Sequence, residues 1–154
     1  MGPGAPCVYA LEGAVAIAGA SVKWLRDNLG LIEKASQVGE YASRVKTNGG
    51  VYFVPAFSGL FAPHWRDDAR GTIVGMTLDT KKGFSSFIVL THYFKEHICR
   101  ATLEAVSYQT KDIMDSMALD MNHPVSLLRV DGGMVYFWLF FFQLKMAYRL
   151  HPTN

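Results

Sequence analysis

Segments with the apolar spacing of helices alternate along the chain with short β-branched and aromatic runs. Tyr9–Ile32 places apolar residues at helical intervals, and Ile32–Val45 does so again. Val51–Val54, stopped by Pro55, has the composition of a short strand, and Gly71–Leu78 is a second strand candidate. Such alternation of helices and strands is typical of an α/β fold.

The second half of the chain continues the alternation. His97–Met121 is the longest predicted helix, with His97 in its first turn and Asn122-His123-Pro124 ending it. Its apolar stripe steps three and four residues at a time through Leu103, Val106, Thr110, Ile113 and Met117. Leu127–Val130 is a third strand candidate and leads into Asp131-Gly132-Gly133. We also predict a turn at Thr47–Gly50 and a loop over Phe57–Asp68.

The composition excludes several classes of protein. The chain has 154 residues, half of them hydrophobic and 18% charged, which suits one domain or part of one and not a disordered chain. The formal net charge is +2, with lysine and arginine scattered, so no nucleic-acid partner is expected. The apolar run Met134–Phe142 is too short for a membrane span, which takes roughly 20 residues. With no signal peptide in view, we expect a cytoplasmic protein.

Classical catalytic and metal-binding patterns are not evident. Cys7 and Cys99 lie far apart in sequence and are interpreted as reduced, structural thiols. The five histidines are dispersed and suggest no metal site. Asp112 and Asp115 are interpreted as solvated surface residues, and no carboxylate pair suited to acid–base catalysis stands out.

Two glycine motifs allow more than one interpretation. Gly132 and Gly133 follow a predicted strand, where bare backbone N–H groups can face a phosphate, but Asp-Gly is also a common turn dipeptide. Gly19 and Lys23 are four residues apart on one predicted helix face. They could flank a nucleotide, or they could be a packing glycine and a solvated lysine.

Several segments taken together are more specific than any one motif. The order and spacing of these segments resemble the C-terminal half of the FGGY carbohydrate kinases, and of the glycerol kinases among them. The segments are "YALEGAVAIAGASVKWLRDNLGLI" (Tyr9–Ile32), "GVYFVPAFSGLFAPHWRDDARGTIVGMT" (Gly50–Thr77), "HICRATLEAVSYQTKDIMDSM" (His97–Met117) and "LLRVDGG" (Leu127–Gly133).

The resemblance implies an incomplete C-terminal domain of the actin-like ATPase (RNase H-like) fold. It implies transfer of the γ-phosphoryl group of ATP, as its Mg²⁺ complex, to glycerol by the complete enzyme, expected to be a homo-oligomer. Gly19, Gly132 and Gly133 match nucleotide-site glycines, and Lys23 stands where bacterial relatives carry a glutamine that contacts nucleotide. The catalytic base and the Mg²⁺ site are expected upstream of this chain, so the chain alone is expected to be inactive.

Two stretches depart from the family pattern. Lys82–Phe94 is an apolar insertion that we expect in a surface connection, and Met134–Phe142 replaces a small-residue stretch after the glycines. We interpret both as translated introns, with a genuine lineage-specific insertion as the alternative. A mature transcript that encodes Phe84–Tyr93 would exclude the intron hypothesis. The apolar run also predicts poor solubility.

Other functions stay open at this point. The chain could be a non-catalytic pseudo-kinase, or a fragment that binds only a nucleotide or a partner. It could also derive from another sugar kinase of the same family, because no residue that selects the substrate is recognised in it.

Overall fold

The computed structural model describes residues 4, 6–7, 10–77, 87–125 and 133–136. Within these residues helices and strands alternate, as predicted. The helices are α1 (Gly19–Asp27), α2 (Gln37–Ser43) and α3 (Phe87–Met121), the strands are β1 (Tyr52–Val54) and β2 (Thr72–Val74), and a 3-10 helix spans Gly133–Tyr136. No helix in this part of the chain combines the length and hydropathy that crossing a membrane requires.

Helix α3 is the central element of the described structure. Its predicted apolar stripe is confirmed over its first four positions, because Leu103, Val106, Thr110 and Ile113 are buried, whereas Met117 at its end is only partly buried. Thr110 fits within the stripe because its hydroxyl donates a hydrogen bond to the carbonyl of Val106 at 2.8 Å. The main buried cluster joins this helix to α1 and α2 and contains Val22, Leu25, Ile32, Val38, Ala42, Ile98, Cys99, Leu103, Val106 and Met134.

Helix α3 begins earlier than predicted. It starts at Phe87, so His97 lies well inside it and not in its first turn. Residues 87–94 of the proposed insertion are therefore helical, which contradicts their assignment to a surface connection. The physical reason is that no glycine or proline interrupts the chain between Phe87 and Met121, so the helix propagates without a break. Its predicted end is confirmed, with Asn122 in the left-handed region at φ 50°.

Helix α1 is shorter than the predicted Tyr9–Ile32 helix. Residues 10–18 are irregular, and Gly30, at φ 59°, lies beyond the end of the helix. The irregular segment packs directly on α3, because a Cβ atom at Gly13 would overlap the side chain of Ile113. Glycine, which lowers helix stability, has no side chain and so permits this close approach of the backbone to α3.

Strands β1 and β2 form an antiparallel pair in which Phe53 opposes Ile73. Phe53 packs inward beside Val51 and Ala101, whereas Tyr52 and Val54 on the other face are exposed. The turn before β1 is confirmed, since Gly49 and Gly50 have φ values of 64° and 82°. β2 is shorter than predicted and is followed by Gly75 at φ 82°.

The predicted loop over Phe57–Asp68 is confirmed. Its backbone closes on itself through hydrogen bonds from Leu60 N to Arg66 O at 2.7 Å and from Arg66 N to Leu60 O at 2.8 Å. His64 Nε2 lies 3.1 Å from Asp112 Oδ2 on α3, which ties the loop to the central helix. The strand predicted at Leu127–Val130, residues 82–86 of the insertion and residues 137–142 of the apolar run lie outside the described residues.

The two thiols differ in their environment, which gives a prediction. Neither cysteine is in a disulfide; Cys7 is exposed, and burial raises the pKa of Cys99 from its ordinary value of 9.0 to about 12. At mildly alkaline pH, iodoacetamide should therefore alkylate Cys7 in the folded chain and spare Cys99. Mass spectrometry of digested protein measures this, with urea-denatured chain as the control that is labelled at both positions.

The same pKa shift sets a pH window for stability. Because the folded-state pKa of Cys99 lies above the unfolded value, its contribution to stability is fully present below pH 9.0 and is lost as the pH rises towards about 12. In the alkylation experiment described above, equal labelling of Cys7 and Cys99 in the folded chain would contradict the burial of Cys99.

Candidate functional site

The candidate site is built on helix α1, whose position is fixed by its buried face. Val22 and Leu25 are 2% and 0% exposed and belong to the cluster shared with α3. Trp24 lies against β1 and the loop that follows it, with its ring centroid 5.7 Å from that of Phe53 and 5.1 Å from that of Phe57. Val22, Leu25 and Trp24 thus cover part of the helix surface, and the remaining face, which carries Gly19 and Lys23, is exposed.

Gly19 is the first residue of α1 and is exposed. A Cβ atom placed on it would meet nothing within 4 Å, so no described residue requires glycine here for packing. The first backbone N–H groups of a helix have no partner within the helix, and the helix dipole makes this end electropositive. The start of α1 can therefore receive a ligand close to the backbone.

Ser21 supports this helix start and was not identified from the sequence. It is fully buried, and its hydroxyl donates a hydrogen bond to the carbonyl of Ala18 at 2.6 Å. The bond fixes the chain where it enters α1. The signal was present in the small-residue run Ala18-Gly19-Ala20-Ser21, in which a hydroxyl follows shortly after the helix start.

Lys23 lies one turn after Gly19 on the exposed face of α1, as the spacing predicted. One turn further on, Arg26 binds the Asp27 carboxylate through Nε at 2.6 Å and Nη2 at 2.9 Å. The hydrogen bond from Arg26 lowers the pKa of Asp27, and the positive charge of Lys23 acts in the same direction. With Asp27 engaged by Arg26, the Lys23 ammonium group is available to an anionic or hydrogen-bond-accepting ligand.

Gly133 begins the 3-10 helix and is exposed, and a Cβ atom on it would also meet nothing within 4 Å. The next residue, Met134, is 7% exposed and belongs to the same buried cluster as Val22 and Leu25 of α1. Gly133 and α1 are thus anchored to one core. Gly132 lies outside the described residues.

The acidic residues of the described ranges do not form a metal centre. No group of three or more His, Cys, Asp or Glu side chains in these ranges can hold a metal ion. Asp112 contacts His64, and Asp115 forms an ion pair with Lys111, so both belong to local charge pairs on α3.

Comparison with known proteins extends these observations. Residues 2–144 match the profile of the C-terminal domain of the FGGY family of carbohydrate kinases. A glycerol kinase of Chloroflexus aurantiacus is 54% identical over 131 residues, which is 85% of this chain and 24% of that protein. A glycerol kinase of Methylorubrum populi has the same identity over the same share of the chain. The chain thus spans about a quarter of the length of these relatives.

A solved structure agrees with the sequence comparison. The crystal structure of Plasmodium falciparum glycerol kinase with ADP superposes with a TM-score of 0.69 at 38% sequence identity, covering 82% of this chain and 22% of that one. Both the fold and the sequence are therefore shared with kinases of this family. The chain belongs to the FGGY family of carbohydrate kinases and carries part of the family's C-terminal domain.

Proposed function

We propose that this chain is the nucleotide-side part of a glycerol kinase, an enzyme that transfers the γ-phosphoryl group of ATP to glycerol. The observation that carries the proposal is the 54% identity with glycerol kinases over 85% of the chain. The proposal covers residues 1–154 as one incomplete domain that includes the two unusual stretches. We also propose that the complete enzyme is cytoplasmic and homo-oligomeric, on the strength of the family resemblance.

The proposed nucleotide-binding residues are Gly19, Lys23, Gly132 and Gly133. Phosphoryl transfer depends mostly on positioning and on stabilising charge, so this part of the enzyme would act by holding the nucleotide. The absent side chain at Gly19 lets a nucleotide lie against the start of α1. Lys23 can donate hydrogen bonds but cannot accept them, so its partner on the nucleotide is an acceptor.

The remaining chemistry is assigned to the part of the enzyme that precedes this chain. When bound there, Mg²⁺ would neutralise charge on the terminal phosphates, and a carboxylate base would accept the glycerol proton. The residues described here would contribute orientation and binding energy for ATP and no proton transfer.

A chimera tests the proposed function. Residues 6–77 of this chain would replace the equivalent segment of the Chloroflexus aurantiacus glycerol kinase, and glycerol phosphorylation would be measured with MgATP. We expect a turnover within the ordinary kinase range of about 1–100 s⁻¹. The chain on its own should show no turnover. A folded chimera that binds ATP but does not phosphorylate glycerol would favour the pseudo-kinase alternative.

The chimera also provides a prediction for Gly19. Gly19→Leu should raise the KM for ATP about tenfold or more, equivalent to ~1.4 kcal/mol, while the KM for glycerol changes little. The reason is that the leucine side chain would occupy the space into which the nucleotide fits, and no described protein atom lies there. Steady-state kinetics with each substrate varied in turn would measure both constants.

Ala20→Leu is the matched control for this variant, since Ala20 is the exposed neighbour on the same helix. The control should leave the KM for ATP nearly unchanged, and both variants should unfold at temperatures close to that of the unmodified chimera. Unaltered ATP kinetics in Gly19→Leu would remove Gly19 from the proposed site.

A further inference from the structure

The turn between α2 and β1 contains an Asn-Gly pair, Asn48-Gly49, whose side-chain amide and backbone nitrogen are hydrogen-bonded. Asn48 Nδ2 donates a hydrogen bond to Glu104 Oε2 at 2.7 Å, and Asn48 Oδ1 accepts one from Gly50 N at 3.0 Å. The backbone N–H of Gly49 donates to Thr47 Oγ1 at 3.2 Å. Both ends of the carboxamide and the following backbone nitrogen are therefore occupied.

Further contacts hold this turn against α3. His97 Nδ1 lies 3.2 Å from the carbonyl oxygen of Thr47, and a Cβ atom on Gly49 would stand 2.9 Å from the His97 ring. Arg100 donates to the carbonyl of Val45 at 2.9 Å and to Glu104 Oε1 at 2.8 Å. Glu104 is only 6% exposed, so its carboxylate needs hydrogen-bond donors in place of bulk water, and Asn48 and Arg100 are two of them.

Asparagine followed by glycine is the sequence in which backbone-assisted deamidation is least hindered, because glycine places no side chain beside the attacking nitrogen. The Gly49 nitrogen loses its proton to water and attacks Cγ of Asn48. The new N–C bond closes a succinimide ring as the Cγ–Nδ2 bond breaks, and the amide nitrogen takes a proton from water and leaves as ammonia. Water then opens the ring to aspartate or isoaspartate, with no change of oxidation state.

We propose that Asn48 is a deamidation site that the folded turn protects, and that its conversion weakens the attachment of the turn to α3. Protection follows from the geometry, because the attack requires the carboxamide to leave Gly50 and Glu104 and the Gly49 nitrogen to leave Thr47. Release follows from charge, because the product places a second carboxylate opposite buried Glu104, where the amide had donated a hydrogen bond. The Arg100–Glu104 ion pair then has a second carboxylate beside it.

The rate of conversion tests the first half of the proposal. The full chain would be incubated in mildly alkaline buffer, natively and in urea, beside a synthetic peptide of residues 44–54. Peptide mapping would follow the mass change from amide to acid, and circular dichroism would confirm that the native sample is folded. We expect Asn48 in the folded chain to convert at least about tenfold more slowly than in urea, as protection by a local opening equilibrium requires. Equal rates in a folded sample would overturn the protection.

Glu104→Ala is the matched variant for the rate measurement. It removes the acceptor of the Asn48 amide, so conversion in the folded variant should be faster than in the unmodified chain under the same conditions. An unchanged rate would show that the contact with Glu104 does not restrain the carboxamide.

Substitutions test the second half of the proposal, the effect of the new carboxylate on the contact with α3. Asn48→Asp should reduce the ratio of folded to unfolded chain at least about tenfold at neutral pH, as expected for an uncompensated charge beside a buried one. Adding Glu104→Gln should restore most of the loss, since the glutamine amide can donate to the new carboxylate. Asn28→Asp, at an exposed position, is the control and should change stability little. If Asn48→Asp alone does not fold, the double variant Asn48→Asp with Glu104→Gln still tests the proposal. A double variant that does not regain stability would overturn the charge mechanism.

Discussion

Leu103→Ala is expected to lower the free energy of unfolding by about 2–5 kcal/mol. Leu103 is completely buried in the cluster that joins α3 to α1 and α2, so the truncation removes apolar contacts and leaves a cavity. A loss of this size is a large part of the total stability of a typical domain, about 5–15 kcal/mol. Urea unfolding followed by circular dichroism would measure it.

Leu119→Ala is the matched control for this truncation. Leu119 lies on the same helix and is 81% exposed, so its loss should change the free energy of unfolding by no more than about 0.5 kcal/mol. Equal effects of the two substitutions would mean that α3 does not bury its apolar stripe as described.

Gly75→Ala is expected to destabilise the strand pair by more than about 3 kcal/mol, above the usual range for a single substitution. Gly75 has φ 82°, where an L side chain is strained, and a Cβ atom there would overlap the carbonyl oxygen of Gly50. The new methyl group can be accommodated only if the backbone leading into β1 moves.

Gly50→Ala separates the two causes, because Gly50 has the same φ of 82° but open space around a Cβ atom. The free energy of unfolding of this variant should fall only by the cost of placing an L residue in the left-handed region, about 1–2 kcal/mol. The difference between the two variants measures the steric overlap, and thermal unfolding of both determines it. Similar losses would show that the backbone near Gly75 relaxes easily.

The elements that local pattern determines were predicted correctly. The stripe from Leu103 to Ile113 needed only helical periodicity, and the turn at Gly49 and Gly50 needed only the presence of adjacent glycines after asparagine. Strand β1 followed from a β-branched and aromatic run closed by Pro55. In each case the signal and the structure lie within a few residues of each other, so no tertiary information was required.

The errors have two different causes, a contact between distant parts of the chain and an interpretation that rested on family resemblance. The predicted helix over Tyr9–Ile32 is wrong over residues 10–18, an irregular segment in which Gly13 packs against Ile113, a partner that no local pattern reveals. Helix α3 was predicted to start too late because residues 87–94 were interpreted as part of an inserted loop. That interpretation rested on family resemblance, while the local sequence, free of glycine and proline, supports a helix.

The candidate site was only partly predictable. The spacing of Gly19 and Lys23 indicated a shared face, and the structure adds that the space beside Gly19 is open. Sequence alone could not distinguish an open position from a packed one, as Gly13 and Gly19 illustrate within one predicted helix. Ser21 supports the start of α1 through a single hydrogen bond to the carbonyl of Ala18, and hydrophobic periodicity does not predict such a bond.

The contact of Trp24 with Phe53 and Phe57 has an evolutionary consequence. The three rings form one set, with the ring centroids of Phe53 and Phe57 6.0 Å apart, so α1 also packs through Trp24 on β1 and the loop that follows it. Aromatic pairs have preferred relative orientations, so a change of ring at Phe53 or Phe57 alters how Trp24 packs on them. We therefore expect substitutions at these two positions to shift α1 while every residue of the proposed site stays the same.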